Sequence, residues 1–332
     1  MELTAHDPYE QTLRPVKVND TWGYFRVGDG LVIDAVFESV KEFSEGCAAV
    51  CLEARDQLNN RQPLYAIINE SGEMLIPPVR GVPVSPHGFT DGRLLVLCDT
   101  GSTFLLDKSG HRHFEGQFAY LDSFYDGRAC VRVGERYGFI DVNGEIVIAP
   151  RFGKPAQFSD GFALVSEPGG RTTGIIDTQG NDILFPGQDL RLTGLSEGVV
   201  VARSLQGEFF MNLNGEPLFD DLIFPYGVLP YSEGMACFVA TPGDAINVGF
   251  IDRDGRQYDP QYVFAEPFED DLCQVQFLDG RKAFINKKCE HAIDVSDYTR
   301  VGNFMAGLAP VWQGQKLGYI NKHGGTVWEP TM

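Results

Sequence analysis

One phrase recurs along this chain, and it constrains the fold more than any other feature. Its cleanest copy reads Tyr137-Gly138-Phe139-Ile140-Asp141-Val142-Asn143-Gly144, continues as Ile146-Val147-Ile148-Ala149-Pro150, and closes with Phe158-Ser159-Asp160-Gly161-Phe162-Ala163-Leu164-Val165. The Asp or Asn that ends the first segment returns as Asn69, Asp107, Asp141, Asp177, Asn212, Asp252, Asn286 and Asn321, at intervals of 38, 34, 36, 35, 40, 34 and 35 residues. A glycine stands three places later in each copy except the one at Asn286, which has Cys289. A second glycine returns as Gly46, Gly92, Gly127, Gly161, Gly198, Gly234 and Gly307, with Asp271 standing in once. Two independent markers on one period describe a modular array, which settles the architecture before any single residue is weighed.

The repeat has a physical reading. Phe139 and Ile140 before the turn, and Ile146 to Ile148 after it, are aromatic and β-branched residues suited to a pleated, half-buried surface. Between them D-x-x-G supplies a side chain that bonds backbone N–H groups and a glycine for the left-handed conformation, so each copy predicts a tight hairpin. A short loop, often led by proline as at Pro77, Pro150 and Pro186, then leads to a third strand after the second glycine. Hairpins opening at Trp22, Tyr65, Thr103, Tyr137, Thr173, Glu208, Val248, Lys282 and Leu317 give nine units. The chain opens on a third strand at Leu13 and closes on a hairpin, and no helix-period segment of ten or more residues is evident.

The aromatic-Gly pair at the head of each unit, with the D-x-x-G turn and the later glycine, resembles the bacterial WG-repeat family over roughly residues 13 to 328. Only Trp22-Gly23 is a literal WG; Ala66, Phe104, Phe209 and Ala283 replace the glycine, so those units are expected to pack differently. The resemblance implies repeated β units and a non-catalytic interaction role, and it brings no active site to transfer. The expectation is an all-β array of nine three-stranded units over residues 13–328, with an N-terminal extension at 1–12 and a tail at 329–332. An open, curved, solenoid-like form is the main reading, and a closed β-propeller-like ring is the alternative.

Composition narrows the function. Against 46 Asp and Glu stand 27 Lys and Arg, a net charge of −19, which repels phosphate backbones and anionic lipid headgroups. A basic protein is the natural partner, with no nucleic acid and no membrane. The N-terminal residues lack a basic region followed by an apolar one, and no apolar run approaches the ~20 residues that span a bilayer, so a cytoplasmic location is expected. Seven cysteines without metal-type spacing fit a reducing compartment. Cys47, Cys130, Cys237 and Cys273 follow the second glycine and read as small apolar filler.

Motifs with chemical associations dissolve into the repeat. Gly194-Leu195-Ser196-Glu197-Gly198 matches G-x-S-x-G, but a nucleophile elbow needs a strand-to-helix turn, and the same slot reads Phe43-Ser44-Glu45-Gly46 elsewhere. Asp252-Arg253-Asp254-Gly255 has the flavour of a calcium loop without the remaining oxygen ligands. His111 and His113 lack a third ligand. No catalytic residue, cofactor or metal is expected.

The residues singled out for binding are the acids directly before the second glycine: Glu45, Asp91, Asp126, Asp160, Glu197, Glu233 and Asp270. Aligned along one edge they would steer a basic partner; the plainer reading is that each closes its own turn. Loops that break the period, 51–64, 240–247 and 79–87, are the expected source of specificity, with Arg55, Asn59 and Arg61 as further partner-binding candidates. The functional expectation is a non-enzymatic protein-binding module, in concrete form an immunity or antitoxin-type protein that masks a basic partner. The rival is a carbohydrate binder or enzyme using surface carboxylates and aromatics such as Trp312, Trp328 and Tyr120.

Overall fold

A computed structural model describes residues 12–52, 63–85, 87–98, 100–241 and 247–331. It is all-β, with no helix among the described residues. Two compact units are distinguished, Met1–Gln157 with Thr331–Met332, and Phe158–Pro330. The first holds four antiparallel sheets and the second holds four more, each built from strands adjacent in sequence.

The nine hairpins are all present, but the repeat is larger than the sequence suggested. In the sheet around the cleanest copy, Tyr120–Tyr125 pairs with Arg128–Val133, which pairs with Arg136–Ile140, which pairs with Ile146–Phe152. The three-stranded unit expected for a solenoid-like array is thus corrected to a four-stranded meander, the sheet of the propeller alternative. The strand missed in the sequence precedes the second glycine and is often two residues long, as at Ser39–Val40 and Phe158–Ser159. Pro77 and Pro150 do not lead loops. They lie inside the edge strands Met74–Arg80 and Ile146–Phe152, where a missing N–H costs no ladder bond. Nine hairpins give eight sheets because the strand Gln257–Ala265 pairs on both sides, joining two repeats into one six-stranded sheet.

Two kinds of turn generate the meander. At D-x-x-G, Gly144 N–H donates to the Asp141 carbonyl (2.9 Å) and Asp141 N–H to that of Glu145 (3.0 Å). Asp141 Oδ1 meanwhile accepts from Asn143 and Glu145 N–H (2.9 and 3.0 Å). The same Oδ1 pattern recurs at Asn69, Asp107, Asp177, Asn212, Asp252, Asn286 and Asn321. The second turn is a two-residue hairpin: Ser44 and Cys47 exchange both backbone bonds (2.9 and 3.0 Å) around Glu45 (φ 50°) and Gly46 (φ 77°), the φ signs of a type I′ turn.

The aromatic-Gly pair also has a steric cause. A Cβ on Gly138 would meet Ile148 O at 2.5 Å and Pro150 N at 2.8 Å, because the fourth strand bulges across it. Where Phe104 and Phe209 replace that glycine, the fourth strand shrinks to Arg112–His113 or to the isolated bridge between Met211 and Pro217. Ala66 and Ala283 keep a fourth strand, Met74–Arg80 and His291–Asp294. Between the sheets the core is aromatic: Phe89, Phe124, Phe158, Tyr231, Phe268 and Phe304, each two places before the I′ turn position, are buried.

Candidate functional site

The acid stripe does something neither sequence reading anticipated. Five of the seven carboxylates bond the turn of the following repeat rather than their own. Glu45 accepts from Gly92 N–H (3.0 Å) and Asp91 from Gly127 N–H (2.7 Å) in the first unit. In the second unit Glu197 accepts from Gly234 N–H (3.2 Å), Glu233 from Asp270 and Asp271 N–H (2.8 and 2.7 Å), and Asp270 from Gly307 N–H (2.6 Å). Asp126 and Asp160 hold the same left-handed backbone (φ 52° and 53°). Several are also charge-paired: Lys108 lies 3.1 Å from Glu45, Arg253 2.6 Å from Glu197, and Lys287 3.3 Å from Glu233. The structure therefore gives these side chains an inter-repeat bonding role and local counter-ions. Arg55, Asn59 and Arg61 lie outside the described residues, as do most of loops 51–64 and 240–247. Stretch 79–87 supplies the end of Met74–Arg80 and the two-residue strand Val82–Pro83, and Val84 and Ser85 lie outside any strand.

A different place has the geometry of a binding site. In the second unit, between the sheet Arg191–Ser196, Val199–Arg203, Glu208–Met211 and the start of the six-stranded sheet, lies a cleft of about 490 Å³. Val201, Pro230, Val239, Val248 and Phe264 form apolar walls, and Arg203 and Glu208 are the only charged lining residues among those described. Tyr226, Leu229 and Phe264 stand 51%, 47% and 42% exposed at its margin, more apolar surface than core packing requires. A second, polar cavity of about 300 Å³ shares Arg203, Glu208, Tyr226 and Gly227 with it and runs on past Ser204 and Gln206.

Glu208 is the pivot. It is buried, 5% exposed, and both oxygens are satisfied. Oε1 accepts from Thr193 Oγ1 (3.0 Å) and from Arg203 Nε and NH2 (3.0 and 2.8 Å), and Oε2 from Val228 N–H (2.9 Å). A buried carboxylate of this kind persists only when so paired. It fixes the Arg203 guanidinium, whose side chain is 59% exposed, at the boundary of the two cavities. Sequence analysis missed Glu208, although two signals pointed to it: it is the one acid in the aromatic slot of the repeat, and the longest interval, 40 residues, follows Asn212. The extra length becomes the irregular segment that follows the Met211–Pro217 bridge and carries Tyr226 to Pro230, where Val228 bridges Phe238 in place of a short first strand.

Residues 22–54 and 137–169, the stretches that hold Gly23 and Gly138, match the model of the WG containing repeat. Two of its repeats are of the WG-containing kind. No curated protein matches it in sequence. Among solved structures it is similar to BamB from Moraxella catarrhalis at 13% identity, covering 94% of each chain with a TM-score of 0.39. It is also similar to apo AztD from Citrobacter koseri, at 13% identity over 80% of this chain and 91% of that one with a TM-score of 0.45. Hsv2 from Kluyvelomyces marxianus aligns at 9% identity over 83% and 89%, with a TM-score of 0.38. Identities this low transfer no residue role.

Seen as WG-containing repeats, the other motifs have structural places. Ser196 ends the strand Arg191–Ser196 and turns into the strand Val199–Arg203. Asp252 Oδ1 is occupied by Asp254 and Arg256 N–H (3.1 and 2.9 Å). His111 and His113 flank Asp107 Oδ2 at 3.6 and 2.8 Å, and no group of three or more His, Cys, Asp or Glu among the described residues is arranged for a metal. Cys47, Cys130, Cys237 and Cys273 are buried free thiols, and burial pushes Cys130 up to about 11 and Cys237 to about 12. The Trp312 ring is covered by the Arg300 guanidinium (3.7 Å), and the Tyr120 hydroxyl donates to Asp122 (3.1 Å).

Proposed function

We propose that the chain is a non-enzymatic, cytoplasmic protein-binding module whose partner seats on the cleft of the sixth repeat. One observation carries this: where the period is most disturbed, exposed Tyr226, Leu229 and Phe264 surround a cleft with a built-in ion pair whose carboxylate is buried. Binding residues on a repeat scaffold are supplied by such departures. The net charge of −19 favours a basic partner, and masking of a basic toxin, as by an immunity or antitoxin-type protein, is the concrete form of this reading. Four-stranded antiparallel meanders are the sheets from which propeller blades are made, which supports a closed ring over an open array.

Affinity capture from the native host tests the binding face. Wild type should retain a basic protein that Leu229→Asp and Phe264→Asp release, while Val142→Asp, at an exposed turn in the first unit, retains it. Retention of the same proteins by all four chains would remove the cleft from the binding reading.

A further inference from the structure

Resting on that protein-binding reading, the geometry points to a specific occupant: the C-terminal residue of the partner, apolar in side chain, with its free carboxylate on Arg203. A guanidinium presents five N–H donors as two fork edges. Here Glu208 Oε1 takes the Nε–NH2 edge at 3.0 and 2.8 Å, and NH1 has no partner among the described residues. The end-on edge is therefore open at a half-exposed side chain that is already fixed in place. Both Glu208 oxygens are engaged inward, by Thr193, Arg203 and Val228, so the open edge of the pair is one of donors.

That chemistry selects a carboxylate, which the end-on edge receives bidentately. The two cavities meeting at Arg203 set the direction. An anion there places the adjoining side chain among Val201, Val239 and Val248, and leaves the preceding residues to run over Ser204, Gln206 and Tyr226. A basic protein ending in an apolar residue satisfies both scales of charge: its body is drawn by the acidic chain, and its terminal anion meets the one cation among the described residues that line the cleft.

The probes are acetylated tripeptides ending in leucine, phenylalanine or alanine, each as free acid and as C-terminal amide. Binding is read from the methyl resonances of Val201, Val239 and Val248. The leucine or phenylalanine acid should shift these methyls, its amide should bind about tenfold more weakly or worse, and the alanine acid should bind more weakly than either. Arg203→Gln should equalise acid and amide. If that variant fails to fold, the acid-amide difference on wild type decides alone. Equal binding of acid and amide at these methyls would overturn the carboxylate assignment while leaving the cleft as a protein-binding face. No methyl shift with any acid up to about 10 mM, far weaker than specific recognition, would overturn the assignment outright. Failure of the wider reading shows separately, as retention of partner by Leu229→Asp.

Discussion

At Gly144 two constraints coincide. Its φ is +87°, and a Cβ there would press into the Phe114 ring. Gly161 (φ +83°) has open space around its Cβ position, so only the backbone term operates. Gly161→Ala should therefore cost about 1 kcal/mol, and Gly144→Val about 2 kcal/mol or more, by urea unfolding; equal costs would mean that the ring moves aside freely. Asp107 shows how a turn acid responds to pH. Burial works to raise its pKa, but bonds from His113 and from the N–H groups of His111 and Ser109 outweigh it and hold the carboxyl at about 2, below the ordinary 3.8. A carboxylate whose pKa is depressed by folding stabilises fully above its unfolded value, and this contribution disappears as pH falls through the folded one. The stability difference between wild type and Asp107→Asn should hold above about pH 4 and collapse towards pH 2. A difference constant across that window would show that His113 and the turn bonds serve the amide equally well.

At the scale of the element, the link between repeats is a carboxylate on a backbone N–H. Glu233 caps two such groups and also meets Lys287, so its two roles can be separated. Glu233→Ala should cost about 1–2 kcal/mol, since it orphans two donors, whereas Lys287→Met should cost under about 1 kcal/mol, because exposed ion pairs contribute little. The reverse order in thermal unfolding would make charge pairing the dominant link. The hairpins were legible in sequence because D-x-x-G fixes its geometry within five residues, as Asp141 Oδ1 demonstrates. The short first strand was not, because Phe158–Ser159 is too brief to show alternation and its pairing with Phe162 and Ala163 depends on the turn between them. The stripe of acids was visible, but its bonds reach about one period along the chain, to partners that no local pattern names. Glu208 was hidden for the same reason: Thr193, Arg203 and Val228 converge on it only once the irregular segment has folded over.

For the whole molecule, small-angle scattering tests the proposed closed ring. It should give a radius of gyration of about 20 Å, the value for a compact chain of this length, and a clearly larger value would restore the open array. Charge should act on encounter alone, since exposed charges are screened beyond ~8 Å at physiological salt. Association with the captured partner should slow as salt rises, while Phe264→Ala should mainly speed dissociation; an association rate indifferent to salt would exclude the acidic field from recognition. The caps between repeats carry one more consequence. Glu45 finds on Gly92 the same N–H that Glu233 finds on Asp271 at the equivalent turn, so at these boundaries donor and acceptor are interchangeable with their counterparts. The bond itself therefore sets no repeat number: losing or duplicating a period bounded by two such turns would rejoin an acid to the same N–H, and only closure of the proposed ring would fix the count.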